Sequence, residues 1–225
     1  MARLSQIEIR ESEVTYSSQR GWFFHPTGHH VKELLLHFIP RDYVLDGSSK
    51  ISVIFGKRHG GKPQRYTMLG VTVCHIEDFD IEHYMTLSVL EQQEIILSVL
   101  SSTMIEVARS SGADLDVIQR AADAVRECGF ATEIEIKKLS RSSKDHKFRI
   151  KIFRRLGPDV GEIWEARIYL SDGSLLATEL ISSKPDWLDR TDHFSKSQWS
   201  GDVFQIAYSR LDKINYQLDM SKFRE

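Results

Sequence analysis

One stretch of the sequence matches the front of a phosphate-binding loop. Residues Gly56 to Lys62 read G-x-x-x-x-G-K after a run of strand-forming residues, an arrangement in which backbone N–H groups cradle phosphate oxygens. The match ends at Pro63, where a Ser or Thr would bind Mg²⁺. The residues after Pro63 favour a strand and not the helix whose N-terminus would hold the phosphate. We therefore interpret the stretch as a basic hairpin loop and predict no cofactor.

Histidines and cysteines provide a second set of residues with metal-binding chemistry. His25, His29 and His30 form a loose cluster, and Cys74 is followed by His75. A structural zinc site needs four closely arranged ligands, usually as two short paired spacings. The sequence has no C-x-x-C pair to supply them. We interpret the histidines as turn and surface residues and predict no metal site.

Four carboxylates crowd the connection between the first strands and a long helical segment. They are Glu77, Asp78, Asp80 and Glu82. Hard oxygen ligands of this kind can bind a divalent ion, but the stretch lacks the Gly and the final Glu of an EF-hand loop. Two further interpretations stay open, a solvated acidic connector and a docking patch for a basic protein.

The sequence contains no catalytic motif. It lacks a nucleophile elbow, a recognisable Cys–His arrangement and a metalloprotease helix. A dispersed active site of carboxylates and histidines stays open, because such residues meet only in three dimensions. The sequence therefore favours a protein without enzymatic activity.

Charge is unevenly distributed along the chain. From residue 66 to residue 108 there is no Lys or Arg, and the formal charge is −7. From residue 131 to residue 156 the formal charge is +6. Such segregation either steers a charged partner or reflects complementarity within the protein. The basic stretch with its aromatic residues could also bind nucleic acid, although its interleaved glutamates make this alternative weaker.

Composition places the chain among globular proteins. It has 225 residues, of which 41% are hydrophobic, and a formal net charge of −2. No apolar run approaches the roughly 18 residues that span a bilayer, and the N-terminus has no apolar signal-peptide core. We expect a cytoplasmic protein with no membrane contact, in which Cys74 and Cys128 are reduced thiols.

Two antiparallel helices are predicted between residues 88 and 129. Ser88 and Glu91 form a capping box, and Asp114 is the N-cap of the second helix. Gly129 is suited to the position after its end because glycine adopts a positive φ at little cost. The buried stripe predicted for the first helix consists of Ile96, Leu100, Met104 and Val107, widened by Ile95 and Val99.

Strand-forming sequence precedes these helices. We predict strands around Ile7 and Ile9 and over Val31–Ile39, Lys50–Phe55 and Arg65–Ile76. A turn or loop is predicted at residues 25–30, and a short pairing segment at residues 14–16. In the connection from 76 to 87, one short helical turn is expected, capped by Asp78 or Asp80.

An antiparallel meander is predicted after the helices. Alternating residues indicate strands near 133–137, 147–152 and 164–170, and Asp172–Gly173 is a hairpin signal. We expect Ile136 opposite Ile150 and Ile152 opposite Trp164, which places Lys151 between Glu135 and Glu165 on the wet face.

The predicted fourth strand has an anomalous pattern. Leu175, Ala177, Glu179 and Ile181 would face inward, while Leu176 and Leu180 would face water. A bulge, the C-terminal segment or a partner would resolve this conflict. Beyond it, strands are expected over Val203–Leu211 and Asn215–Met220, with Trp187 and Trp199 as anchors in the connection.

The sequence therefore predicts an α+β fold. Residues 1–225 are expected to form one domain, with sub-lobes 1–87, 88–129 and 130–225 and the meander packed on the helices. For function, we predict a cytoplasmic protein-binding protein that docks a basic partner through Glu77, Asp78, Asp80 and Glu82. Its most concrete form is an inhibitor or immunity protein that blocks a basic enzyme, such as a toxin nuclease.

Overall fold

A computed structural model describes residues 1–14, 24–58, 60–61, 63–182, 189–208 and 213–223. The fold is α+β, as predicted, and these residues contain four α-helices and three sheets. The chain divides into two compact units, Met1–Thr132 and Glu133–Glu225. The single domain and the packing of the meander on the helices stay predictions. Most of the segment predicted at 14–16, the anchor Trp187 and Lys62 lie outside the described residues.

The N-terminal unit contains a mixed four-stranded sheet in the order β1-β2-β4-β3. Its strands are β1 (Gln6–Glu11), β2 (Lys50–Phe55), β3 (Arg65–Met68) and β4 (Val71–Ile76). β2 runs parallel to both β1 and β4, and β3 is antiparallel to β4. The predicted single strand Arg65–Ile76 is a hairpin, because Leu69 and Gly70 both adopt positive φ and turn the chain.

Helix α1 (His25–Phe38) replaces the turn at residues 25–30 and the strand at Val31–Ile39, so both predictions are wrong. Pro26 lies in its first turn, where a missing N–H costs nothing. Val31, Leu34 and Leu35 share one fully buried face. Gly28 permits close packing on the sheet, since a Cβ there would lie 3.1 Å from Ile9 Cδ1.

The remaining helices of this unit are α2 (Ile81–Thr86), α3 (Val89–Ser111) and α4 (Leu115–Glu127). The predicted caps are confirmed: Ser88 forms a capping box with Glu91, Asp114 caps α4, and Asp80 caps α2. Helices α1, α3 and α4 pack on one another. The α3 stripe differs from the prediction, because Leu97 and Ser101 are buried, whereas Ile95 and Val99, which were predicted to widen it, are only partly buried.

The C-terminal unit contains two sheets. The five-stranded sheet has β5 (Thr132–Glu135), β6 (Arg141–Ser142), β7 (Phe148–Gly157), β8 (Gly161–Leu170) and β9 (Leu175–Leu180). The antiparallel three-stranded sheet has β10 (Lys196–Ser200), β11 (Val203–Tyr208) and β12 (Lys213–Asp219). A short 3₁₀ helix, Ser221–Phe223, follows. Strand β10 was not predicted, since its sequence is mostly polar.

The predicted register of β7 and β8 is wrong by two residues. Gly157 pairs with Gly161, so the turn contains only three residues and Trp164 lies opposite Arg154. Ile152 consequently lies opposite Ala166, and Lys151 lies opposite Arg167. Because a shift of two keeps every side chain on its predicted face, the inward and outward assignment survives the error.

A bulge in the fourth strand does not remove the predicted conflict, because Leu176 and Leu180 stay 39% and 54% exposed. The β8–β9 register shifts where Ile168 pairs with Ala177 and Tyr169 with Leu175. The bulge turns Leu175 outward, where it is 55% exposed. Glu179 lies at the edge of the core, and its Oε1 accepts a hydrogen bond from Lys222 Nζ at 2.8 Å.

A buried carboxylate joins three segments of the C-terminal unit. Glu162 is fully buried, and it accepts hydrogen bonds from Arg154 Nη2 at 2.5 Å, from Trp164 Nε1 at 2.6 Å and from the Arg190 backbone N–H at 3.1 Å. Asp189 lies 3.5 Å from the same Arg154 nitrogen. These contacts fix the segment after residue 188 to the end of the β7–β8 hairpin, next to its turn.

We expect the substitution Arg154→Met to lower the free energy of unfolding by about 3–5 kcal/mol, because it leaves the Glu162 carboxylate buried without its cation. The neighbouring Arg155→Met is the control, since Arg155 is partly exposed and its partner Glu165 also pairs with Arg167. It should cost about 1 kcal/mol or less. Urea denaturation measures both values, and equal losses would contradict the role of the buried pair.

Two histidines of α1 belong to the core of the N-terminal unit. His29 and His30 are 2% and 0% exposed, so their assignment to turn and surface positions is wrong. His30 Nε2 lies 2.7 Å from Gln93 Nε2 of α3. Burial, helped by the charge of His29, lowers the pKa of His30 to about 4. His30 is therefore neutral in the folded protein at pH 7.

Acid should destabilise the folded protein partly through His30. An unfolded His takes up a proton near pH 6.5, whereas folded His30 takes one up only near pH 4. Between these values the unfolded chain binds more protons, so stability falls as pH falls, by at most about 3 kcal/mol. His30→Gln should flatten this dependence in urea titrations, and the exposed His83→Gln should not. Identical slopes in both variants would contradict the assignment.

Candidate functional site

An aromatic cluster holds helix α2 and the connection before it against the N-terminal unit. The ring of Phe24 lies 4.4 Å from that of Phe55 and 5.3 Å from that of Tyr84. Phe79, from the connection, contacts the ring of Phe55 at 4.6 Å. The Tyr84 hydroxyl also hydrogen-bonds Thr27, and burial raises the pKa of Tyr84 to about 12. The neutral hydroxyl thus serves as a fixed structural contact.

Burial of one side of α2 directs its other side to solvent. Ile81 and Tyr84 are buried, so Glu82 and Met85, which share the opposite face, are exposed. Two residues, Leu87 and Ser88, connect α2 to α3. The Cα atoms of Met85 and the first residue of α3 are consequently at most about 14 Å apart.

Three large apolar side chains are exposed where α2 meets α3. Met85 and Val89 are each 51% exposed, and Leu90 is 60% exposed. Asp78 and Glu82, both exposed, precede them in the chain. We call these five residues the α2–α3 surface. Its composition, apolar residues together with charged ones, is that of a small interface.

Of the four predicted carboxylates, two have hydrogen-bond partners within the chain and two do not. Glu77 Oε1 accepts hydrogen bonds from Arg58 Nε at 2.7 Å and from the Arg58 backbone N–H at 3.1 Å, and these bonds lower the pKa of Glu77. Asp80 Oδ1 accepts from the His83 backbone N–H at 2.9 Å and caps α2. Within the described residues, Asp78 and Glu82 have neither a hydrogen bond nor an ion pair from their side chains.

Charges of the two biased stretches have partners inside their own units. In the acidic stretch, Glu94 pairs with Arg126 at 3.1 Å. In the basic stretch, Lys151 lies 3.8 Å from Glu135, and Arg155 lies 2.9 Å from Glu165. Much of the charge segregation read from the sequence is therefore compensated locally.

Part of the basic stretch has no such compensation. Six of its side chains are exposed and, over the described ranges, make no ion pair: Lys137, Lys138, Arg141, Lys144, Lys147 and Arg149. A cavity of about 280 Å³ lies beside them, lined by residues that include His146, Arg149, Lys151 and Tyr169. Nucleic-acid binding through this region stays a prediction, with the salt dependence expected of phosphate contacts.

A cavity of about 440 Å³ lies between β3, β4 and α3. Arg65, Cys74, His75, Glu106 and Arg109 are among the residues that line it, so it has the mixture expected of a dispersed active site. Burial raises the pKa of the Cys74 thiol to about 11, so the thiol is protonated and weakly nucleophilic at neutral pH. The enzyme hypothesis stays a prediction.

No metal centre is formed by the part of the chain that the structure describes. It contains no group of three or more His, Cys, Asp or Glu residues placed to hold an ion. Neither of its cysteines is in a disulfide. The loop that begins at Gly56 leads into strand β3 and not into a helix, unlike a phosphate-binding loop. It is not the predicted hairpin loop either, because β4 lies between β2 and β3 in the sheet.

The apolar half of the α2–α3 surface was missed in the sequence. Val89 and Leu90 were interpreted only as the first turn of a helix, and Met85 only as part of an acidic connection. One signal was available, because Leu90 lies outside the stripe of Ile96 and Leu100. Exposure of Met85 and Val89 depends on how α2 docks, which periodicity does not report.

Comparison with known proteins gives no functional information. No protein-family model matches the sequence, and no characterised protein or solved structure is detectably similar to the chain. Among the described residues, no helix is long and apolar enough to cross a membrane.

Replacing a carboxylate that has a hydrogen-bond partner should change stability more than replacing one that has none. Asp80→Ala should lower the free energy of unfolding by about 1 kcal/mol, because the first turn of α2 loses its cap. Asp80→Asn should change it little, since the amide oxygen also caps. Asp78→Ala should stay within about 0.5 kcal/mol of wild type. Chemical denaturation tests the order, and a loss for Asp78→Ala as large as that for Asp80→Ala would contradict it.

Proposed function

We propose that this chain is a non-enzymatic protein-binding protein that docks a basic protein partner through the α2–α3 surface. One observation carries the proposal. Within thirteen residues of the chain, three apolar side chains, each more than half exposed, follow two carboxylates that have no partner in the described structure. A folded protein gains no stability from either feature, whereas an interface uses both.

The two halves of the surface have different roles in binding. Asp78 and Glu82 attract a basic partner over distance and raise the rate of association. Met85, Val89 and Leu90 lose water on contact and lower the rate of dissociation. Glu77 and Asp80 also support the surface through Arg58 and the cap of α2, and their contact with the partner stays a prediction.

The most concrete version of the proposal is an inhibitor or immunity-type protein. A nuclease has a basic surface because its substrate is a polyanion, and an acidic protein surface can occupy that region. The absence of Lys and Arg between residues 66 and 108 supports a target of this charge. A toxin nuclease is therefore the first class of partner to test.

The experiment compares two proteins with the same change in net charge. In one, Asp78 and Glu82 are replaced with Ser. In the other, the exposed Asp42 and Asp116, which lie near the α3–α4 connection at the other end of α3, are replaced with Ser. Each protein is immobilised and exposed at low salt to a lysate of its native cells, and bound proteins are identified by mass spectrometry. We expect a basic protein that wild type and the control retain and the Asp78/Glu82 variant loses.

Kinetics with the purified partner then test the mechanism. The Asp78/Glu82 variant should associate several-fold more slowly at low salt, with little change in dissociation. Leu90→Ser should instead raise the dissociation rate about tenfold. Equal retention by all three proteins, or association that does not respond to salt, would contradict the proposal. Salt-released nucleic acid in place of a protein would favour the basic stretch of residues 131–156.

A further inference from the structure

Strand β9 ends the five-stranded sheet of the C-terminal unit. Within the described ranges it pairs with β8 alone. The Ile181 N–H donates to the Trp164 carbonyl at 2.8 Å, so Ile181 has the position of a hydrogen-bonded pair opposite Trp164, whose own N–H donates to Ser182 Oγ. Hydrogen-bonded and non-hydrogen-bonded pairs alternate along antiparallel strands. The backbone groups of Leu180 and Thr178 therefore point away from β8, as do those of Leu176 subject to the adjoining bulge.

The side chains of this edge are apolar and exposed. Leu176 is 39% exposed and Leu180 is 54% exposed, while Ala177 and Ile181 on the other face belong to the core cluster. Exposed edges in folded proteins are normally protected by lysine, proline, a bulge, an inward-pointing charge or a cover, because they template pairing with another chain. In β9 the bulge is confined to the start of the strand, and the inward Glu179 is paired with Lys222. The sequence Leu175–Leu180 contains neither Lys nor Pro.

We propose that β9 pairs antiparallel with β9 of a second copy of this chain, about a two-fold axis at Thr178. Thr178 then faces Thr178 of the second copy, and Leu176 faces Leu180 of the second copy. This register makes the interface isologous, with the same residues contributed by both copies. It also joins the two five-stranded sheets into one continuous sheet. The α2–α3 surface takes no part, so this inference is independent of the proposed function.

Charge selects this register over its neighbour. An axis at Glu179 also satisfies the backbone, but it places two glutamates directly opposite each other, which is unfavourable. An axis at Thr178 places Glu179 opposite Ala177 of the second copy. Each Glu179 already pairs with its own Lys222 at 2.8 Å, so the seam carries alternating charges and no uncompensated repulsion.

The area of the proposed β9–β9 interface, the seam between the two copies, determines the affinity of the dimer. Six exposed leucines and two six-residue edges place the interface near about 1,000 Å², the lower limit for a specific contact. A reversible dimer with a dissociation constant in the micromolar range is therefore expected, and dilute protein should be monomeric.

Cysteine cross-linking tests the register. Cys128 is first replaced with Ser, which leaves only the buried Cys74. Thr178→Cys then places the Cα atoms of the two cysteines, one from each copy, about 5.5 Å apart, within the range of a disulfide. Leu180→Cys, on the same exposed edge, places them four residues and about 13 Å apart. With oxidised glutathione, Thr178→Cys should form covalent dimer at least tenfold faster than Leu180→Cys. Equal rates would overturn the register.

Sedimentation over a range of protein concentrations tests the dimer itself. Wild type should show a reversible dimer, and Leu180→Lys should weaken its association at least tenfold. Met68→Lys is the matched control, because Met68 is 58% exposed on β3 and lies outside the seam. Wild type that stays monomeric at every concentration would overturn the proposal. A dimer that survives Leu180→Lys would also overturn it.

Discussion

The aromatic cluster of Phe24, Phe55, Phe79 and Tyr84 determines how α2 lies on the N-terminal unit. The α2–α3 surface depends on this contact. The cluster joins the start of α1, the end of β2 and both sides of the acidic connection. A six-residue helix such as α2 is too short to be stable by itself. The rings supply the packing that keeps it folded, and so determine which of its side chains reach solvent.

The sequence predicted the helix pair accurately because its signals are local. Ser88, Asp114 and Gly129 act within a few residues of where they stand. Helix α1 was missed because Leu34, Leu35 and Leu36 form a continuous apolar run, which periodicity alone does not assign to strand or helix. Pro26 followed by a Val31–Leu34–Leu35 spacing was the available helical signal. Gly28, unfavourable within a helix, concealed it, and its packing against Ile9 became visible only in three dimensions.

The candidate site shows the same limit. The sequence identified Asp78 and Glu82 by composition, but could not distinguish them from Glu77, whose partner Arg58 lies 19 residues away. A cap at Asp78 or Asp80 could be predicted, because capping depends only on the following turn. The exposure of Met85 and Val89 depends on how the aromatic rings dock α2, which residues far apart in the sequence determine. Capping and local charge could therefore be predicted from the sequence, whereas the exposure of these side chains could not, because it depends on tertiary packing.

The stability of the fold and the proposed binding surface use different charges. Buried or half-buried carboxylates such as Glu162 and Glu165 have arginine partners, and removing those partners changes the free energy of unfolding. Asp78 and Glu82 have no partner in the described structure, so their replacement leaves the folded contacts intact. A change in binding caused by these two residues can therefore be assigned to the surface itself, because the aromatic cluster that positions α2 is untouched.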